Sequence, residues 1–108
     1  MNLDETRIFS VGSTAIMDVM RERTRQINEE GWTPAHDDRH TLGEMATAAY
    51  CYIRWGGRLF APADWPWSIQ FWKPSDRRRD LVKAAALIVA EIERLDRAEL
   101  RKTQEVGQ

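Results

Sequence analysis

Apolar residues recur at helical spacing in three stretches of this chain, and nowhere do they alternate as a strand would. Ile16, Met17, Met20, Thr24 and Ile27 follow one face of a 3.6-residue repeat, with Ser13 placed as its N-cap. Gly31 stands where a left-handed residue ends such a helix, and Pro34 reinforces the break. Leu42, Met45, Ala46, Ala49, Tyr52 and Ile53 form a second face. Thr41-Leu42-Gly43-Glu44 reads as its capping box and Gly56-Gly57 as its stop. Leu81, Ala84, Ala85, Ile88, Ile92 and Leu95 make the third and longest stripe, with Ser75 as the expected cap. The pattern predicts a single all-α domain over residues 1–108 with three main helices. Residues 1–12 are expected to form an irregular arm, and residues 102–108 a frayed tail.

Between the second and third stripes, RLFAPADWPWSIQFWKP holds three Trp, two Phe and three Pro. The prolines forbid a long helix, and so many aromatic rings must bury. A packed loop over one end of the helices is expected, with a short helical turn near residues 68–72. Five tryptophans in 108 residues are a high aromatic load for three amphipathic helices, so a homo-oligomer is expected.

Composition narrows the function. A net charge of −1 argues against a general nucleic-acid binder. The single Cys51 excludes an internal disulfide. The first residues carry Asp4 and Glu5 and no apolar run, and the longest apolar run, residues 84–90, is too short to span a bilayer. A cytoplasmic protein with no membrane partner is expected. Arginine outnumbers lysine thirteen to three, which reads as GC-rich coding more than as phosphate binding.

The charge is unevenly placed. Residues 29–44 hold five acids against Arg39, while residues 73–83 hold five bases against Asp76 and Asp80. Glu22, Gln26, Glu29 and Glu30 lie along one flank of the first helix. Carboxylates so placed suit Mg²⁺, which takes hard oxygen ligands; alternatively they form a solvated flank paired with Arg23 and Arg25. His36 and His40 are four apart and would face the same way in a helix, as zinc ligands do, but no third soft ligand is evident. Asp37 or Asp38 either enters a magnesium site or caps the second helix, and Glu44 has the same two readings. Lys73, Arg77, Arg78 and Lys83 surround a helix N-terminus and can hold phosphate, or pair with Asp76 and Asp80 in solvent. Trp65, Trp67 and Trp72 can stack a base or plug the core, and Trp32 and Trp67 are the candidates for base stacking or partner contact.

The stretches RERTRQINEEGWTPAHDDRHTLGEMATAAYCY and WPWSIQFWKPSDRRRDLVKAAALIVAEIERLDR resemble small phage and prophage proteins. Those are in turn similar to the all-α MazG-like nucleoside triphosphate pyrophosphohydrolases. The resemblance spans about residues 20–97 and rests on Arg25-Gln26, Glu30-Gly31-Trp32, His36-Asp37-Asp38, Gly43-Glu44 and the helix over residues 80–93. It implies an oligomeric helical bundle in which Glu29, Glu30, Asp38 and Glu44 hold Mg²⁺, with Glu30 and Glu44 catalytic. Lys73, Arg77, Arg78 and Lys83 would hold phosphates. The implied reaction splits a nucleoside triphosphate into monophosphate and pyrophosphate by attack of water on the α-phosphorus. The chain departs from the superfamily's acidic runs: Gly31 interrupts E-E-x-x-E, and Thr47 stands where E-x-x-D needs its aspartate. Asp80 is the residue that can face these acids from the third helix. Two other functions remain open. One is a protein of the same fold that sequesters a nucleotide, such as a host defence signal, without turnover. The other is an inhibitor that contacts a host defence protein through the Trp-rich loop.

Overall fold

The computed structural model describes residues 13–106, which form four α-helices and one 3₁₀ turn, with no strand among the described residues. Helix α1 runs Ser13–Glu29, α2 is the single turn Pro34–Asp37, α3 runs Glu44–Trp55 and α4 runs Arg77–Val106. The 3₁₀ turn Ile69–Phe71 lies in the Trp-rich segment, where a short turn was expected. The expected arm over residues 1–12 lies outside the described residues. Helix α4 continues through Val106, so the tail expected to fray from residue 102 is helical up to that point.

Local signals set most of the boundaries. Gly31 adopts φ +77°, a conformation costly for any residue with a side chain, and the Trp32 N–H closes the reversal on the Gln26 carbonyl at 3.0 Å. Thr33 caps α2 by accepting from the His36 N–H, and Pro34 fills the first helical position. The start of α3 differs from the capping box read from the sequence. Gly43, at φ +80°, is the N-cap, and the Glu44 carboxylate accepts from the Leu42 N–H at 2.7 Å. Thr41 therefore plays no capping part. At α4, Asp76 rather than Ser75 supplies the cap, accepting from the Arg79 N–H at 2.9 Å.

The core is aromatic and built on small helix residues. Ala48, Ala49 and Cys51 of α3 meet Ala84 and Leu87 of α4, and the loop closes this face with Trp65 and Trp72. Trp72 stacks on Tyr52 at 4.8 Å, and Trp65 meets both rings edge-on. Both indoles are satisfied, Trp65 by the Ser68 carbonyl and Trp72 by the Arg58 carbonyl, each at 3.1 Å. The packed loop expected from the sequence is therefore present.

The stripes expected to face the core mostly face outward. Ile16, Met17 and Met20 of α1 are exposed, as are Leu81, Ile88, Ile92 and Leu95 of α4 and Leu42 and Ile53 around α3. What α1 buries instead is Glu22, Arg23 and Gln26. Helix α4 buries Val82, Lys83, Ala84, Ala86, Leu87, Ala90 and Arg94. Paired polar groups can fill an interior when each charge finds a partner, and here they displace the apolar stripe from it.

Candidate functional site

Glu22 and Gln26 stand four residues apart on the face of α1 turned toward α4, and Glu30, just past the helix end, continues that line. Glu22 is 1% exposed, yet it is held by Arg25, which donates to both carboxylate oxygens at 2.8 Å, and by Arg79 from the first turn of α4. Glu30 accepts from Lys73 at 2.7 Å and from Arg25 at 3.1 Å. Burial by itself would raise both carboxyls, but these cations outweigh it and hold Glu22 and Glu30 below the ordinary carboxylate value. Both are ionised at neutral pH.

Lys83 completes the group from α4. It is 8% exposed, its ammonium donates to the Lys73 carbonyl, and among the described residues no carboxylate lies within ion-pair distance of it. Burial pushes it below the ordinary lysine value, with Asp80 and Glu22 acting in the opposite direction. Tyr52 forms the floor: its hydroxyl accepts from the Lys73 N–H at 3.1 Å, and burial pushes the phenol up to about 12, so it stays protonated. Glu22, Arg25, Gln26, Glu30, Tyr52, Lys73 and Lys83 line a cavity of about 10 Å³, the room of one water molecule. Gln26 Oε1 and Asp80 Oδ2 are buried with no hydrogen-bond partner among the described residues. Counting Arg25, Lys73, Arg79 and Lys83 against Glu22, Glu30 and Asp80 leaves one net positive charge.

The residues expected to hold metal are dispersed. Glu29 reaches solvent and pairs with Arg25 at 3.3 Å. Glu30 belongs to the cavity just described. Asp38 is bound by Arg97 at 2.8 Å and Arg101 at 3.3 Å, and these guanidiniums hold its carboxyl below the usual range. Glu44 spans the Leu42 N–H and the His40 ring. Among the described residues no three His, Cys, Asp or Glu side chains come together as a metal-ligand group. This arrangement does not offer the set of oxygens that Mg²⁺ takes.

The expected phosphate ligands divide in the same way. Lys73 and Lys83 line the cavity. Arg77 instead donates to the Ile53 carbonyl at 2.5 Å, and Arg78 pairs with Asp18 at 2.9 Å. Arg79 is the arginine of that run that reaches the cluster, by pairing with Glu22. Trp32 is buried in the core, so its ring is not free to stack a base. Trp67 packs between Trp32 at 5.0 Å and His40 at 5.5 Å, and its indole N–H has no partner among the described residues.

A second polar centre lies at the corner between α1 and α3. His36 and His40 approach with their Nε2 atoms 3.1 Å apart. His36 Nδ1 faces Asp37 at 3.2 Å and His40 Nδ1 faces Glu44 at 3.1 Å. Asp37 is 1% exposed and is anchored by Arg23 at 2.8 Å. Arg23 also donates to the Trp32 carbonyl at 3.0 Å and to Glu93 at 3.1 Å, joining α1, the corner and α4. Searches against protein-family profiles, curated proteins and solved structures find no match to this chain.

Proposed function

We propose that the chain is a nucleotide-binding helical protein that takes the phosphates of its ligand at the Glu22–Lys83 cavity without a metal-dependent step. The observation that carries this reading is Lys83, a buried ammonium with no carboxylate partner among the described residues, beside Lys73 and Arg79. A buried cation with no carboxylate in direct contact can take an anion, and a phosphate oxygen supplies one. The cavity admits only a water, so binding requires Lys73 to exchange Glu30 for the ligand. Lys73 lies on the loop and is half exposed, so this exchange needs no disruption of the helices. The nucleotide class, as opposed to any other phosphate ester, rests on the resemblance to MazG-like proteins. A host defence nucleotide falls within it.

A thermal-shift screen of nucleotides with magnesium or with EDTA tests the proposal. Stabilisation that survives EDTA, leaves the nucleotide intact and is lost in Lys83→Met supports it. Release of pyrophosphate with magnesium would instead restore the pyrophosphohydrolase. No stabilisation by any nucleotide or by pyrophosphate would sink both.

Exposed apolar residues favour a protein partner as well. Ile16, Met17 and Met20 of α1 and Ile88, Val89, Ile92 and Leu95 of α4 form stripes typical of a subunit interface, which supports the homo-oligomer. For an inhibitor of a host protein, the contact residues would be Leu59 and Phe60, exposed by 88% and 84%, rather than the packed Trp67.

A further inference from the structure

We infer that His36 and His40 form a chelating site for a late first-row divalent cation, Zn²⁺, Ni²⁺ or Cu²⁺, independent of the phosphate cavity. The argument starts from proton positions. Each Nδ1 faces a carboxylate, Asp37 for His36 and Glu44 for His40, so each Nδ1 carries a hydrogen that it donates. Neutral rings in that tautomer point bare Nε2 lone pairs at each other across 3.1 Å. Two lone pairs at that distance repel unless a cation lies between them.

The separation fits a metal. Two Zn–N bonds of about 2.05 Å put their nitrogens ~3.3 Å apart at a tetrahedral angle and ~2.9 Å apart at a right angle. The observed distance falls between these values. The ring centroids are only 4.5 Å apart and the planes are inclined by 58°, so the lone pairs converge at an angle rather than head-on.

The surroundings match what a metal-binding imidazole needs. A carboxylate on the far nitrogen fixes the tautomer and orients the ring. Asp37 is itself fixed by Arg23 at 2.8 Å, and Glu44 by the Leu42 N–H at 2.7 Å. The rings are about one-fifth exposed, at 22% and 21%. The protein supplies two nitrogen ligands, and the remaining positions take water or a ligand atom. Imidazole donors select the later first-row metals over magnesium.

The test is titration of the full chain with Zn²⁺, Ni²⁺ or Cu²⁺ alone, followed by calorimetry. One equivalent should bind, and a large excess of magnesium should not displace it. His36→Ala and His40→Ala should each weaken binding by more than about tenfold, and Glu44→Gln, which keeps the oxygen that accepts from Leu42, by about tenfold. Circular dichroism checks that each variant is folded. Nitrogen NMR of the wild-type rings gives a readout that needs no variant: both Nε2 resonances, and neither Nδ1, should move on adding zinc. Absence of stoichiometric binding would overturn the site. So would binding unchanged in both alanine variants, or Nε2 resonances that report only a shared proton at every zinc concentration.

Discussion

Removing the Arg23 guanidinium should cost more stability than any other single change at the α1–α2 corner. Asp37 has a side chain 1% exposed and Arg23 one 10% exposed, so the pair is desolvated on both sides. Arg23→Met keeps the aliphatic bulk but leaves Asp37 as a buried carboxylate with only His36 opposite it. Breaking a buried pair from one side costs about 3–5 kcal/mol. The Glu93 contact adds little, because that carboxylate is half exposed. For a domain of this size a loss of ~3 kcal/mol lowers Tm by about 12–24 °C. The double variant Arg23→Met/Asp37→Leu removes both charges and should recover most of the loss. Thermal and urea unfolding of the four proteins, followed by far-UV circular dichroism, gives the coupling energy. A loss below about 1 kcal/mol in Arg23→Met, or additivity in the double variant, would refute the reasoning.

Four further outcomes follow. Glu22 and Glu30 have folded-state values below the ordinary 4.5, so the unfolded chain takes up protons first in acid. Their stabilisation is complete above about 4.5 and is lost as pH falls through the lower folded values; pH-dependent unfolding of wild type against Glu22→Gln should show the variant flatter there. A Cβ on Gly56 would stand 2.5 Å from Asp80 Oδ2 and 2.7 Å from the Tyr52 carbonyl, so Gly56→Ala should lose about 1–3 kcal/mol in urea unfolding. Lys83→Met removes a buried ammonium that contacts no carboxylate and should hold or raise the unfolding free energy, by up to about 2 kcal/mol, while abolishing nucleotide binding. Ile92→Glu with Leu95→Glu should leave the circular dichroism unchanged and shift light-scattering mass toward the single chain, because both positions are exposed on α4.

The helices were legible because their punctuation is local. Gly31 and Gly56-Gly57 act through their own backbone, and each ends an element where the sequence suggests, whereas the short helix that Thr33 and Pro34 start was not among the three expected. The inward faces were less legible. Hydrophobic periodicity registers transfer from water and is blind to pairing, so Glu22, Arg23 and Gln26 look like a solvated flank until α4 and the corner bring Arg79 and Asp37 to them. The candidate site was half visible: Glu22, Gln26 and Glu30 share a face by spacing alone, as Lys73 and Lys83 share a basic segment. Choosing Arg79 over Arg77 and Arg78 requires the rotation of α4, which no local signal specifies. The two histidines were recognisable as a pair at four-residue spacing. That each ring is backed by its own carboxylate depends on the turn Pro34–Asp37 and on the left-handed Gly43.

The arrangement of the five tryptophans gives the molecule a built-in optical signature. Trp32, Trp65, Trp67 and Trp72 form a chain with ring centroids 5.0 to 5.6 Å apart, and Tyr52 adjoins it. Trp55 differs in lying against the guanidiniums of Arg54 and Arg58, at 4.2 and 4.0 Å. Indoles this close couple their excited states, so the near-ultraviolet dichroism of the native protein should be intense. It should vanish as soon as the loop lifts, even while the helical signal persists. Loop docking and helix formation can therefore be followed separately in the unlabelled protein.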